Sequence, residues 1–146
     1  MPVDRAILDH EFKVSLDLER GRLKMFAESI GEQDPLYLDV EAAREAGHPD
    51  ILAAPTVLFG LELETSDTFE TLADHGVDLG RVLHGEQKFT YHKQIYAGDH
   101  LDFASKFSDV YEKSGGALEF IVRHTEVRRG DDGIVAEMDN VAVVRG

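Results

Sequence analysis

The chain contains no cysteine among its 146 residues, which excludes disulfides, thiolate zinc sites and cysteine nucleophiles. Long apolar runs are also lacking. None approaches the roughly 20 residues that span a bilayer, and residues 1–10 do not have the pattern of a signal peptide. These absences predict a soluble cytoplasmic protein that does not enter membranes.

Basic residues are scarce as well. Lys and Arg together number 15 against 29 Asp and Glu, which gives a formal net charge of −14 at pH 7. A surface this acidic repels phosphate backbones, so we expect no nucleic-acid partner. A phosphorylated small molecule would have to be held by local clusters of Lys and Arg that offset the overall field.

The composition is otherwise that of an ordinary globular protein, with 42% hydrophobic residues, and the length suits one domain. Apolar residues recur at helical spacing in the first half of the chain, which predicts short helices over residues 18–30 and 40–46. Residues 55–74 predict the longest helix, opened by a proline that is well tolerated in a first turn.

Within that long helix, the spacing predicts which side chains face the core and which face solvent. Leu58, Leu61 and Phe69 are predicted to face the core together with Thr65. The acidic side chains, among them Glu62, are predicted to line the outer surface.

After residue 80 the pattern changes to alternation rich in β-branched and aromatic residues, which predicts strands. Gly-containing turns at residues 97–99, 114–116 and 130–133 divide this part of the chain into four strands, and residues 12–16 predict one more. The whole chain, 1–146, is therefore predicted to be one α+β domain with an antiparallel sheet against a long helix. A sheet covered on one face by one helix indicates pairing with a second copy.

Three segments are candidates for chemistry. The first, GEQDPLY at residues 31–37, holds two carboxylates at a proline turn. Rigidly held carboxylates suit general acid–base catalysis, which makes Glu32 and Asp34 candidates. The alternative is that Asp34 only caps the turn into Pro35 and that Glu32 is solvated.

The second segment is ILAAPTVLFG at residues 51–60. A helix that begins at Pro55 would present unpaired N–H groups to an oxyanion or a thioester carbonyl, with Ala54 and Thr56 beside it. The alternative is that Ala–Ala–Pro is only a compact entry to a core helix.

The third segment, HGEQKFTYHKQIYAGD at residues 84–99, contains His84 and His92 eight positions apart. No third metal ligand stands at a recognisable spacing and no HExxH motif is present, so no metal site is predicted. A structural or substrate-lining role for His84 is the preferred interpretation.

Taken together, FAESIGEQDPLYLD, ILAAPTVLF and HGEQKFTYHKQIYAGDHL resemble the MaoC-like hydratase/dehydratase family. The resemblance is greatest to its branch described as the N-terminal dehydratase region of type I fatty acid synthases. It implies a hot-dog fold, in which a sheet wraps a long central helix and pairs with a second hot dog. It also implies an acyl-CoA or acyl-carrier-protein thioester as substrate, with no cofactor.

Active members of that family carry a GDxNPLH motif, whose Asp and His handle the water that adds to an enoyl thioester. In register with it, this chain has Glu32 at the Asp position and Tyr37 at the His position. A phenol, with a pKa of about 10 against about 6.5 for imidazole, is a poor proton shuttle near neutrality. The family's backbone donors at the helix start correspond here to residues 54–56, where Pro55 has no N–H to donate.

Three hypotheses follow from this resemblance. In the first, the chain is the degenerate half of a hydratase or dehydratase and shapes the acyl channel for a catalytic MaoC-like partner. In the second, it is an autonomous enoyl-CoA hydratase that uses Glu32 or Asp34 with His84 from a strand. In the third, it is a non-enzymatic homodimer that binds acyl-CoA. The candidate cations for CoA phosphates are Lys88, Lys93, Arg123, Arg128 and Arg129.

Overall fold

The computed structural model describes residues 2–146. These residues form five strands: β1 Glu11–Asp17, β2 Val82–Tyr91, β3 His100–Lys113, β4 Leu118–Arg128 and β5 Ile134–Arg145. They also form four α-helices: α1 Arg20–Ser29, α2 Val40–Glu45, α3 Val57–Thr65 and α4 Thr68–Asp74. None of these helices has the length and apolar character needed to cross a membrane.

The strands form one antiparallel sheet in the order β1-β3-β4-β5-β2, so that β1 and β2 are its edges. Along β3 and β4, buried side chains alternate with partly exposed ones, as expected where one face of a sheet meets the core. The α+β architecture predicted from the sequence is confirmed, as are all five predicted strands.

The helices cover the inner face of the sheet. Leu23 of α1, Leu58 of α3 and Phe103 of β3 belong to one buried cluster of apolar side chains. The predicted helices over residues 18–30 and 40–46 are present as α1 and α2. The predicted turns at 97–99, 114–116 and 130–133 all lie in the connections between strands.

The single long helix predicted over residues 55–74 is wrong, because the chain forms α3 and α4 instead. Between them Ser66 is extended, with φ −105° and ψ 159°, and its hydroxyl lies 2.6 Å from Thr68 Oγ1. Asp67 follows as the N-cap residue of α4, with φ −86° and ψ 37° and no capping hydrogen bond from its side chain. The start is also later than predicted: α3 begins at Val57, and Pro55 lies in the turn before it.

Strand β2 contains a bulge, where its pairing with β5 shifts between His84 and Glu86. Gly85 lies in this bulge, and a Cβ there would stand 2.8 Å from Val143 Cγ2 and 3.1 Å from the carbonyl oxygen of Val141. The glycine of the HGEQ sequence is therefore required by the close approach of β2 to β5.

Candidate functional site

The GEQDPLY segment forms the connection between α1 and α2. Gly31 adopts φ +76°, which turns the chain out of α1. Glu32 folds back on this turn, and its Oε1 accepts hydrogen bonds of 3.1 Å from the N–H groups of Gln33 and Asp34. Asp34 caps the next turn, where its Oδ1 accepts a 3.0 Å bond from the N–H of Leu36. Both carboxylates thus hold the backbone of the segment.

Tyr37 follows at the end of this turn and is half-buried. Burial raises the pKa of its phenol above the ordinary value, and the negative charges of Glu32 and Asp34 raise it further. Ionising the phenol would add a third negative charge to the segment, so the neutral form is favoured. Tyr37 is consequently a hydrogen-bonding group near neutral pH and does not exchange protons there.

Tyr37 opens onto a cleft of about 360 Å³ that also contains Pro55 and Lys93. Ala53 and Ile95 also line the cleft, and a backbone hydrogen bond joins their segments. The N–H of Ala53 donates to the carbonyl of Ile95, with 2.9 Å between nitrogen and oxygen. The remaining lining residues come from the end of β2 and the loop after it: Tyr91, His92 and Gln94. Residues from all three candidate segments of the sequence therefore line this one cleft.

The sequence left open whether the chain at Pro55 forms an oxyanion site or only a compact entry to α3. The N–H of Val57 already bonds to the carbonyl of Ala54, at 3.1 Å, within the turn that precedes the helix. Thr56 is the N-cap residue, but its side chain makes no capping hydrogen bond, and Ala54 itself is buried. Pro55 thus lines the cleft mainly as an apolar surface.

A second cavity, of about 350 Å³, lies further along α3 between the helices and the sheet. Phe59, Leu63 and Phe69 line it from α3 and α4. Most of the other lining side chains are apolar as well: Leu72, Leu79, Val82, Leu83, Phe107 and Ala142. Phe69, which was predicted to face the core, is 51% exposed at this cavity instead.

One polar cluster lines this apolar cavity, and its members are buried. Glu62 of α3 accepts hydrogen bonds of 2.9 and 3.0 Å from the Thr125 hydroxyl, and its Oε1 lies 3.7 Å from Nη2 of Arg123. Arg123 also donates to Ser105 Oγ from Nε (3.0 Å) and Nη2 (2.8 Å), and to Thr68 Oγ1 from Nη1 (2.6 Å). Burial raises the pKa of Glu62, and the charge of Arg123 opposes that rise.

The sequence interpretation missed this cluster. Glu62 was assigned to the solvent face, yet it lies four residues after Leu58, on the same buried stripe of α3. Arg123 was a candidate for CoA phosphates, but its side chain is only 6% exposed and it binds within the protein. The alternation along β4 could have predicted this burial, because Arg123 lies two residues after Ile121 and two before Thr125, on the same buried face of the strand.

The other candidate residues lie outside the cleft. His84 lines the apolar cavity, where its ring stacks on Phe59 with 4.9 Å between centroids, and its Nε2 lies 3.1 Å from the carbonyl oxygen of Glu86. Lys88 is exposed on β2. Arg128 pairs with Glu126, while Arg129 bonds to Asp99, Asp132 and the carbonyl of Gln94. Of the candidate cations, Lys93 is the one that lines the cleft.

The chain matches the family described as FAS1-like, dehydratase domain region, over residues 9–138. The chain belongs to this family. A UPF0336 protein of Saccharopolyspora erythraea is 33% identical over 148 aligned positions, which cover 100% of this chain and 94% of that protein.

Solved structures with lower sequence identity share the fold. The 3R-hydroxyacyl-ACP dehydratase complex HadBC of Mycobacterium tuberculosis superposes with a TM-score of 0.77 at 21% identity, covering 92% of this chain and 94% of that one. The ChsH1-ChsH2 complex of the same organism gives a TM-score of 0.71 at 25% identity, covering 93% and 87%. The predicted hot-dog fold and the resemblance to MaoC-like dehydratases are confirmed.

Proposed function

We propose that this chain is the substrate-binding half of a two-subunit enoyl-thioester hydratase or 3-hydroxyacyl-thioester dehydratase. In this proposal it binds the acyl thioester and shapes the acyl channel, while a catalytic hot-dog partner supplies the Asp and His pair. The proposal retains the cytoplasmic location predicted from the sequence.

The geometry of residues 32–37 carries the proposal. Hydration of an enoyl thioester requires a base that activates water and an acid that protonates the α-carbon. Here the Glu32 carboxylate is held by two backbone N–H groups, and Asp34 caps a turn. Tyr37 stands where the family has histidine, and its pKa lies above the ordinary phenol value. Tyr37 is therefore unsuited to exchange a proton near pH 7, and the two carboxylates of the segment are engaged with its backbone.

The cleft and the apolar cavity support the binding part of the proposal. Pro55 lines the cleft just before α3, and Phe59, on the first turn of α3, lines the apolar cavity. In this proposal the thioester head group lies at the cleft and its acyl chain extends into the apolar cavity, since Pro55 and Phe59 are close together in the chain. An acyl chain in that space would gain on the order of 0.8 kcal/mol for each buried CH₂. Lys93 lines the cleft with its Nζ 3.6 Å from Asp132 Oδ1, and in this proposal it exchanges that carboxylate for a phosphate of the substrate.

The need for a partner is supported by the solved relatives, since two of them are complexes. The edge strand β2 is consistent with this, because it offers unpaired backbone groups and exposes Leu83 and Tyr91 at 49% and 41%. Its residues border both the cleft and the apolar cavity. A partner that packs there would complete both.

The test is a reconstitution with crotonyl-CoA. A hot-dog subunit that has the Asp and His pair is assayed alone and with increasing amounts of this chain. We expect the rate to rise until the two are equimolar, and Lys93→Ala to raise the concentration needed for half-maximal substrate saturation. Lys88→Ala, an exposed lysine outside the cleft, is the matched control. A partner whose rate does not change when this chain is added would contradict the proposal.

A further inference from the structure

The outer face of the sheet, on the side away from the helices, carries a group of His and Glu side chains that the proposed function does not use. His124 and Glu126 lie on β4, and Glu137 lies on β5. Their neighbours Thr125 and Val127 are buried on the inner face, so His124 and Glu126 project outward. One potential ligand atom from each of the three residues lies within 4.8 Å of the other two.

The register of β4 and β5 puts two carboxylates of this group opposite each other. Glu126 pairs with Glu137, and His124 pairs with Asp139 in the neighbouring row. Like charges directly opposite each other on adjacent strands are destabilising, by an amount similar to the 0.2–1 kcal/mol that a favourable pair contributes, roughly. A cation between Glu126 and Glu137 would convert this repulsion into attraction.

The distance between His124 and Glu137 fits a metal ion. His124 Nε2 lies 3.4 Å from Glu137 Oε1. An ion at the ordinary zinc distance of about 2.1 Å from both atoms would subtend an angle of about 108° between them, which is close to tetrahedral. A direct hydrogen bond between these atoms would be shorter than 3.2 Å.

Each of the three residues is also held by a further side chain. His124 Nδ1 lies 2.7 Å from Asp139 Oδ1, and because a carboxylate only accepts, Nδ1 donates this bond. Nε2 is thus the ring nitrogen that would give up a proton and bind the ion. This carboxylate–histidine arrangement orients metal-binding imidazoles. His92 Nε2 lies 2.7 Å from the other oxygen of Glu137.

Glu126 is held in the same way from the end of β4. Arg128 Nη2 donates to its Oε2 over 3.1 Å, which leaves Oε1 free for another partner. Each ligand thus keeps one atom for the ion while its second atom is engaged. These supporting contacts orient the three ligand side chains on two neighbouring strands.

We propose that His124, Glu126 and Glu137 bind one divalent transition ion of the zinc class. One imidazole nitrogen with two carboxylate oxygens favours Zn²⁺, Co²⁺ or Ni²⁺ over Mg²⁺ and Ca²⁺, which prefer oxygen ligands alone. Bound there, the ion cross-links β4 to β5, and a water completes its fourth position. The turn between β4 and β5 separates Glu137 from His124 and Glu126, so the three form no recognised spacing motif. This explains why the sequence predicted no metal site.

The test uses the full chain without a histidine tag, stripped of metal with a chelator. Zn²⁺ is titrated by calorimetry, and Co²⁺ by visible absorbance, which distinguishes a tetrahedral site from the hydrated ion. We expect one ion per chain. His124→Ala and Glu137→Gln should each weaken binding at least 10-fold, and Asp139→Asn, which removes only the support of the imidazole, about 10- to 100-fold.

His100→Ala is the matched control. His100 also contacts two carboxylates, but through opposite ring nitrogens: Nδ1 lies 2.7 Å from Asp17, and Nε2 lies 3.5 Å from Asp102. One ion cannot contact all three of these groups in that arrangement, so the control should bind as the original chain does. Absence of saturable binding below about 1 mM, or equal affinity in His124→Ala, would overturn the proposal. Thermal unfolding of each variant verifies that it is folded.

Discussion

Replacement of Arg123 by Met should destabilise the protein strongly, because it leaves a buried carboxylate without its cation. The side chains of Arg123 and Glu62 are 6% and 7% exposed, and Arg123 donates hydrogen bonds to Ser105 and Thr68. In the variant, Glu62 would keep the hydrogen bond from the Thr125 hydroxyl but would face no cation. Removing one partner of a buried ion pair costs about 3–5 kcal/mol. For a chain of this size, that corresponds to a fall in Tm on the order of 10 °C.

The loss should depend on pH in a defined direction. Burial already raises the pKa of Glu62 in the folded protein, and without Arg123 the pKa should rise further. A carboxyl whose folded pKa exceeds its unfolded value binds more protons when folded, so stability falls as pH rises through that interval. Arg123→Met should therefore be least destabilised near the unfolded pKa of about 4.5 and most destabilised near neutrality.

Urea unfolding followed by circular dichroism measures both effects. The double variant Arg123→Met/Glu62→Met has no unpaired buried carboxylate and should recover most of the lost free energy of unfolding. The reasoning would be refuted if Arg123→Met cost less than about 1 kcal/mol at pH 7, the median value of a solvent-exposed pair. It would equally be refuted if the double variant were as unstable as the sum of the two single ones.

Three further predictions concern single positions. Gly85→Ala should destabilise the protein by about 1–3 kcal/mol in urea unfolding, because the new Cβ would stand 2.8 Å from Val143 Cγ2; an unchanged midpoint would mean that β2 moves away freely. The pKa of Tyr37 is raised from 10.0 by burial. Subtracting the ultraviolet titration curve of Tyr37→Phe from that of the original chain should therefore show a phenol that ionises above pH 10. A midpoint below 10 would contradict this. Hydrogen bonding to Asp17 raises the pKa of His100 above 6.5, so its stabilisation is present below pH 6.5 and is lost as pH rises through the folded pKa. The difference in Tm between the original chain and Asp17→Asn should accordingly shrink over that interval, and a difference that grows with pH would be incompatible with this assignment.

Local pattern was enough to predict the architecture. Alternation along β3 to β5, helical spacing in α1 and the glycine turns depend on residues close together in the chain, and all of them are present in the fold. The break between α3 and α4 was not predicted, since residues 55–74 are helical in pattern throughout. Thr68 at this break receives a hydrogen bond from Arg123, a contact 55 residues away in sequence that no local pattern contains.

The site was predicted in part for the same reason. The alignment of residues 31–37 with the family motif brought Tyr37 and Pro55 into consideration, and both line one cleft with Lys93. The buried position of Glu62 depends on Thr125 and Arg123 of β4, and the group on the outer face depends on the register of β4 with β5. Pairings of this kind follow from the tertiary structure and are absent from any single segment.

The absence of a proton-exchanging pair at positions 32 and 37 is the central claim, and the partner-free rate of crotonyl-CoA hydration tests it most directly. We predict that the purified chain and its Glu32→Gln variant give the same rate as buffer, because Glu32 holds the backbone and Tyr37 remains a neutral phenol. Rapid turnover by the chain alone, abolished in Glu32→Gln, would contradict the account.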